Sequence, residues 1–149
     1  MNFKKTKNVI IIGAGRLGAS LAGSLSEKGL NVTIIDRDKT AFRKLPESYN
    51  GNRISADGSD IDVLEEVGIK NADMVIATTN NDNVNCLIAQ ISSRIYDISK
   101  VYMRSSDTDI AKIIDGFNIE VIYPFKLSAH EFERLISIDM GEVTSLWKL

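Results

Sequence analysis

The run Gly-Ala-Gly-Arg-Leu-Gly at residues 13–18 contains three glycines, Gly13, Gly15 and Gly18, in the spacing G-x-G-x-x-G. Directly after an apolar run and at the start of a helical one, that spacing suits an anion. Gly13 permits a tight turn. Gly15 lets the backbone approach a phosphate with no side chain in the way, and Gly18 lets the helix lie against the strand. The amides at the helix start then face the charge, with Ala14 and Leu17 completing the candidate loop. Arg16 puts a guanidinium into this loop. It is either a surface arginine or a two-pronged cap on a terminal phosphate, of this subunit's ligand or of a neighbour's.

Eighteen residues beyond Gly18, Asp36 closes the second apolar run. A carboxylate there can accept hydrogen bonds from both hydroxyls of a ribose and would repel a phosphate on the 2′ oxygen. NAD-type or simple adenine nucleotides are therefore favoured over NADP, with the adjacent Arg37 arguing the other way. The rival role for Asp36, capping the next helix, falls better to Asp38. Ala56, Asp57 and Gly58 follow the third apolar run, and Thr78, Thr79 and Asn80 follow the fourth. Both segments belong where an adenine would lie. Asp57 could accept from the exocyclic amino group of adenine, which guanine lacks at that position; a turn or N-cap role explains it equally well. Strand ending is the alternative for Thr78 and Thr79, and capping or first-turn chemistry for Asp82 and Asn85.

These residues need a scaffold that brings four loops to one edge. Short runs rich in Val and Ile, predicted as strands, cover 8–12, 32–36, 53–56, 74–78, 100–103 and 120–123. Helical patterns fall between them at 16–28, 39–45, 59–67, 82–96, 108–115 and 125–138. Strand then helix, six times, predicts an α/β Rossmann-like, doubly wound parallel sheet of about six strands with helices on both faces. Its ligand would sit at the carboxyl ends near the topological switch point. Residues 1–139 then form one nucleotide-binding domain, and 140–149 a tail or linker stub.

The 149 residues are 44% hydrophobic and 26% charged, with a net charge of -2, which suits one globular domain and provides no basic tract for nucleic acid. The single cysteine, Cys86, excludes an internal disulfide and a cysteine-rich metal site. The apolar stretch before the glycines is too short for a signal peptide or a membrane span. A soluble protein is expected, linked to any membrane through a partner.

The segments GAGRLG, IIDRD, ADGSD, TNNDNVN, VYMRSSD and VIYPFKLSA together resemble the N-terminal nucleotide-binding domain of Trk-type potassium uptake regulators, the regulator-of-potassium-conductance or KTN domain. The resemblance spans residues 9–129, in family order. It implies that Asp36 binds ribose, that Arg16 lies beside the ligand phosphates, and that Arg104 has a phosphate-facing or interface role. The family's turn after the third strand usually reads Gly-Asp-Ala-Thr, whereas this chain has Ala56-Asp57-Gly58-Ser59. Many family members continue into a second small lobe, and some are fused to a channel. This chain is expected to be either a trimmed regulator or a single-lobe one working with a separately encoded partner.

The resemblance implies a regulatory subunit, not an enzyme. It would take NAD(H), ATP, ADP or AMP and form a homo-oligomer, a dimer or a higher ring. Its partner would be a membrane potassium channel or transporter subunit, reached from the cytoplasm at the inner face of the membrane. The rival readings are a small NAD-dependent oxidoreductase and a nucleotide-binding subunit of an unrelated complex. An oxidoreductase needs an acid/base group beside the nicotinamide. The one histidine, His130, falls in the last predicted helix, no Tyr-x-x-x-Lys pair is present, and Cys86 reads as a small core residue. The last helix, with Phe125, Leu127, Phe132, Leu135 and Ile136, is the candidate assembly surface, packing on the sheet edge being its alternative.

Overall fold

In the computed structural model, which describes residues 5–141, the chain alternates strand and helix throughout. Strands β1 (Asn8–Ile12), β2 (Asn31–Asp36), β3 (Asn52–Ser55), β4 (Met74–Ala77), β5 (Lys100–Arg104) and β6 (Ile119–Ile122) form one sheet in the order β3-β2-β1-β4-β5-β6. All neighbouring pairs are parallel. The chain runs outward from β1 to β3, then returns to β4 on the other side of β1, so the switch point lies between β1 and β4.

The period of two along each strand divides the core into two layers. Ile10 and Ile12 of β1, Ile35 of β2 and Val75 and Ala77 of β4 point to one side, where Leu64, Cys86, Ile88 and Ala89 cover them. Val9, Ile11, Val32, Ile34 and Ile76 point to the other, under Ala22, Ala41 and Tyr49. The covering helices are α2 (Ile61–Glu66) and α3 (Asp82–Gln90) on the first side and α1 (Arg16–Glu27) on the second. Cys86 is buried, in the expected core role. The strands at either edge, β3 and β6, are only partly covered, unlike the central ones. Among the described residues no helix is long and apolar enough to cross a membrane.

Several elements depart from the helical periods. The segment after β2 is a single 3-10 helix, Lys39–Lys44, started by Asp38, whose carboxylate accepts from the Thr40 amide at 2.9 Å. Helix α2 begins at Ile61 under an Asp60 cap, because residues 57–60 are taken up by a turn. The long pattern over 82–96 divides at Ile91, where α3 widens into a π-helical turn, Ile91–Ile95. There the buried Ser92 hydroxyl donates back to the Ile88 carbonyl at 2.8 Å, and Asp97 closes the turn with a φ of 52°. Helix α4 (Ile110–Ile113) is one turn, with its apolar periodicity supplied by loop residues such as Ile114.

Helices cover both faces of the sheet as expected, but helix α5 (Pro124–Asp139) belongs to neither core layer. Phe125 is 79% exposed, Phe132 68% and Leu127 61%, while Ser137 is the helix's buried residue. Packing of those apolar side chains on the sheet edge is therefore excluded within one copy of the chain. Of the expected 140–149 tail, residues 142–149 lie outside the described residues.

Replacing fully buried Leu64 with Ala should lower the unfolding free energy by about 2–5 kcal/mol. Leu127→Ala, on α5, should change it by no more than about 0.5 kcal/mol in dilute, monomeric protein. Urea denaturation of the two variants checks both, and a large loss for Leu127→Ala would mean that α5 packs on its own sheet.

Candidate functional site

Because the strands are parallel, the loops after β1, β2, β3 and β4 emerge on one edge, and they enclose a cleft of about 410 Å3. It is lined by Gly13 and Gly15 after β1, by Asp36 and Arg37 at the end of β2 and Ala56, Asp57 and Gly58 after β3 on one side of β1, and by Thr78, Thr79 and Asn80 after β4 on the other.

The three glycines are required for different reasons. Gly13 has a φ of +105°, and a Cβ there would come within 2.7 Å of the Thr78 carbonyl carbon. At Gly18 a Cβ would sit 1.9 Å from the Gly13 oxygen, so α1 can cross the loop only with hydrogen at that position. Gly15 is unlike both. Its φ is -72° and a Cβ there would meet nothing within 4 Å. The fold does not need glycine at 15; the open space beside a backbone facing the cleft is where an anion would approach. Gly15 is the N-cap of α1, with no side-chain cap bond and no acidic residue in the first turn. The helices on the opposite side of the site are filled differently, α2 by the Asp60 carboxylate and α3 by the Asn81 side chain, which accepts from the Val84 amide at 3.1 Å. The α1 terminus thus keeps its positive end available to a ligand.

Asp36 stands at the end of β2 and is held from both sides. One carboxylate oxygen accepts from the Ala14 amide at 2.7 Å and the other from the Asp38 amide at 2.8 Å. A carboxylate has about four lone-pair sites, so two such bonds fix its orientation and leave capacity for two hydroxyl donors. Asp38, not Asp36, caps the following helix, as its position in the sequence indicates. Asp57 directs Oδ1 to the amide and hydroxyl of Ser59, at 2.9 and 2.7 Å. Those bonds, with the nearby Arg37 cation, hold its carboxyl below the usual aspartate range. The turn role is therefore filled, and the residue still lines the cleft. Gly58 explains the departure from Gly-Asp-Ala-Thr. A Cβ there would lie 2.5 Å from Ile12, so the glycine falls where this loop crosses the end of β1.

The remaining expected residues divide. The Ala14 side chain is buried and its amide serves Asp36. Leu17, in the first turn of α1, is half-buried, and Gly18 is buried in the crossing. Arg16 is exposed and faces an adjoining open groove with Ser20, Ser24 and Lys44. Arg104 ends β5 outside the cleft lining. The hydroxyl of Thr78 points inward to the carbonyls of Ile12 and Gly13, at 3.2 and 3.1 Å, and that of Thr79 to Asn85 at 2.6 Å. The cap of α3 is Asn81, so neither Asp82 nor Asn85 caps the helix, while Asp82 takes the expected first-turn acidic position.

Sequence reasoning missed Lys44, which lines both the cleft and the Arg16 groove. The signal available was the basic pair Arg43-Lys44 closing the helix after Asp36. Among the described residues no group of three or more His, Cys, Asp or Glu side chains could hold a metal ion.

An anion-receptive helix terminus at the switch point, with an acid fixed at the end of the second strand, defines a Rossmann-type nucleotide-binding domain. The model of the TrkA-N domain matches residues 9–124, and the chain belongs to that family. It is 32% identical over 141 residues to the Trk system potassium uptake protein TrkA of Streptomyces coelicolor, covering 95% of this chain and 62% of that one. It is 36% identical over 130 residues to the TrkA homolog of Methanothermobacter thermautotrophicus, covering 87% and 60%. The chain thus spans about three fifths of the length of these curated relatives. Among solved structures it is similar to the GsuK channel bound to NAD, at 20% identity and a TM-score of 0.77 over 96% of this chain and 25% of that one. GsuK bound to ADP superposes with a TM-score of 0.73 at 21% identity, covering 89% and 34%. The Kef C-terminal domain of Shewanella denitrificans in its AMP-bound form gives 0.67 at 20% identity, covering 89% and 81%.

The glycine geometry separates folding from binding. Gly13→Ala and Gly18→Ala should destabilise strongly, by more than about 2 kcal/mol, through backbone clashes. Gly15→Ala should cost no more than about 1 kcal/mol, the difference between glycine and alanine at an N-cap, yet weaken nucleotide binding. Thermal unfolding with calorimetric titration checks the set, and full affinity in Gly15→Ala would remove the anion from this loop.

Proposed function

We propose that the chain is a regulatory nucleotide-binding subunit of a potassium transport system, in which an adenine nucleotide in the cleft alters the geometry between subunits. The carrying observation is Asp36, fixed between two loop amides at one side of a cleft that the uncapped start of α1 also lines. That pairing recognises a ribose diol and a phosphate on one ligand. NAD, ADP and AMP all contain both, and structures of similar fold bind each of them. Two relatives at 30% identity or more are potassium uptake proteins, which supports the transport role.

No chemistry is required of the site. A ligand regulates if it binds two assemblies with different affinity. The uncovered face of α5, with Phe125, Leu127, Phe132, Leu135 and Ile136 exposed, supports a homo-oligomer, a dimer or higher ring. Arg16 and Lys44, in the groove beside the phosphate loop, are the cations through which a neighbouring copy could sense the outermost phosphate. In this reading residues 1–139 are the switching unit and 140–149 its tail. The unit works in the cytoplasm, at the inner face of the membrane, through a channel or transporter subunit.

Native mass spectrometry of the purified chain tests this first, since it reports a retained nucleotide and the number of subunits together. Asp36→Ala should weaken ADP or NAD by roughly 1–3 kcal/mol in calorimetry. Steady NADH turnover with alcohols, aldehydes or hydroxy acids would sink the regulatory reading in favour of a small oxidoreductase.

Arg16→Ala should compress the affinity differences among ATP, ADP and AMP while leaving adenosine nearly unchanged. Arg16→Lys should restore only part of the discrimination, because an ammonium keeps the charge and loses the planar fork. Equal discrimination in all three proteins would make Arg16 a surface residue.

A further inference from the structure

One fully enclosed polar side chain beside the cleft is explained neither by capping nor by packing. Asn85, in the first turns of α3, has 0% exposure. Its Oδ1 accepts from the amide and the hydroxyl of Thr79, at 2.9 and 2.6 Å. Its Nδ2 donates to the carbonyls of Thr79 and Arg104, at 3.0 and 3.1 Å. A side-chain amide has two donors and two acceptor sites, and all four are used. The partners also fix its orientation, since a flipped amide would set carbonyl against carbonyl.

The two backbone partners belong to different parts of the molecule. Thr79 walls the cleft. Arg104 ends β5, which does not reach the cleft. One side chain therefore joins the ligand-facing loop to the next strand over. Asp82 adds a second tie between the same two loops, accepting from the amide of Ser106 at 3.2 Å and from its hydroxyl at 2.5 Å. On the opposite side Thr78 ties the wall to Gly13, the first residue of the phosphate loop.

We propose that Asn85 is a positioning residue of the nucleotide site, holding the 78–80 wall in the shape a ligand meets and passing displacement of that wall to the end of β5. This rests on the reading of the cleft as an adenine-nucleotide site. The physical reason is the cost of an unpaired buried polar group. If the wall shifts, the Thr79 amide and carbonyl and the Arg104 carbonyl lose their partner together, so the wall has one strongly preferred position. A buried apolar residue would fill the same space without that constraint.

The test uses the whole chain, with ADP and NAD+ as probes in calorimetry, alongside Asn85→Asp and the core variant Ile88→Ala. In Asn85→Asp a carboxylate oxygen replaces the Nδ2 and faces two carbonyls, so ADP affinity should fall about tenfold or more relative to the parent at about pH 8. Burial against two carbonyls raises that carboxyl above the usual aspartate range, so near about pH 5, where protonation restores a donor, part of the loss should be recovered relative to the parent at the same pH. Ile88→Ala, in the core layer under α3, should lower thermal stability and leave ADP affinity within about twofold at both pH values. Should Asn85→Asp fail to fold, hydrogen exchange on the parent decides, because ADP should slow exchange at 78–80 and at 104–106 together. If the parent binds ADP or NAD+ but 104–106 does not respond, or folded Asn85→Asp binds as the parent does, the role of Asn85 is overturned and the nucleotide reading stands. If the parent binds neither probe, the nucleotide reading itself falls, and the proposal with it.

Discussion

The carboxyl edge of this sheet depends on the close approach of the phosphate loop to the end of β4. A Cβ on Gly13 would lie 2.7 to 2.8 Å from backbone atoms of Thr78 and Thr79, and one on Gly18 would collide with Gly13 itself. Three backbone segments therefore meet where ordinary residues leave room for two. The contact sets the direction in which α1 leaves β1, and hence where its unpaired amides point. It also lets the Thr78 hydroxyl reach the carbonyl of Gly13 and add a second bond to that of Ile12, which already accepts from the Thr78 amide at 2.8 Å.

From that point a line of hydrogen bonds runs across the sheet edge in both directions. Toward β2, Gly13 donates to the Ile35 carbonyl at 2.8 Å and Ala14 to the Asp36 carboxylate. Toward β5, Thr79 is bound to Asn85, and Asn85 to Arg104. Four adjacent strands are thereby linked through their loops as well as through their ladders. Loops are ordinarily the mobile parts of such a fold, and polar ties of this kind are what allow loop residues to present a defined surface. The outer strands lie beyond the line and are partly exposed.

Helix α5 stands apart from this arrangement. A helix that left Phe125, Phe132 and Leu127 in water with nothing to cover them would be an expensive use of large apolar side chains. Its separation from the core layers means that covering it need not disturb the cleft, whereas the β5 end tied to Asn85 lies nearer to it in the chain. The domain thus combines a hydrogen-bonded cleft edge with an uncovered apolar helix.

The fold class was legible in the residues alone. Short Val- and Ile-rich runs cannot be covered on both faces except in a parallel sheet with helices above and below, and every one of the six runs became a strand. Asp36 and the three glycines were legible for the same reason, because their chemistry is local to one strand-turn-helix unit. What sequence could not convey was how long-range packing shares out the polar groups. Asn85 carries a capping type at a capping distance, yet it is the fourth strand's wall and the fifth strand's end, six and nineteen residues away, that decide its partners. The helical period over 82–96 likewise continued past Ile91, where the chain takes a wider turn with Ser92 and Ile98 buried. Sequence by itself determined which groups are available along each local segment, since spacing and residue type act over a few residues. Only the tertiary structure decided which of them face the cleft and which are used inside the protein, because a buried donor or acceptor must be paired wherever the fold happens to bring it.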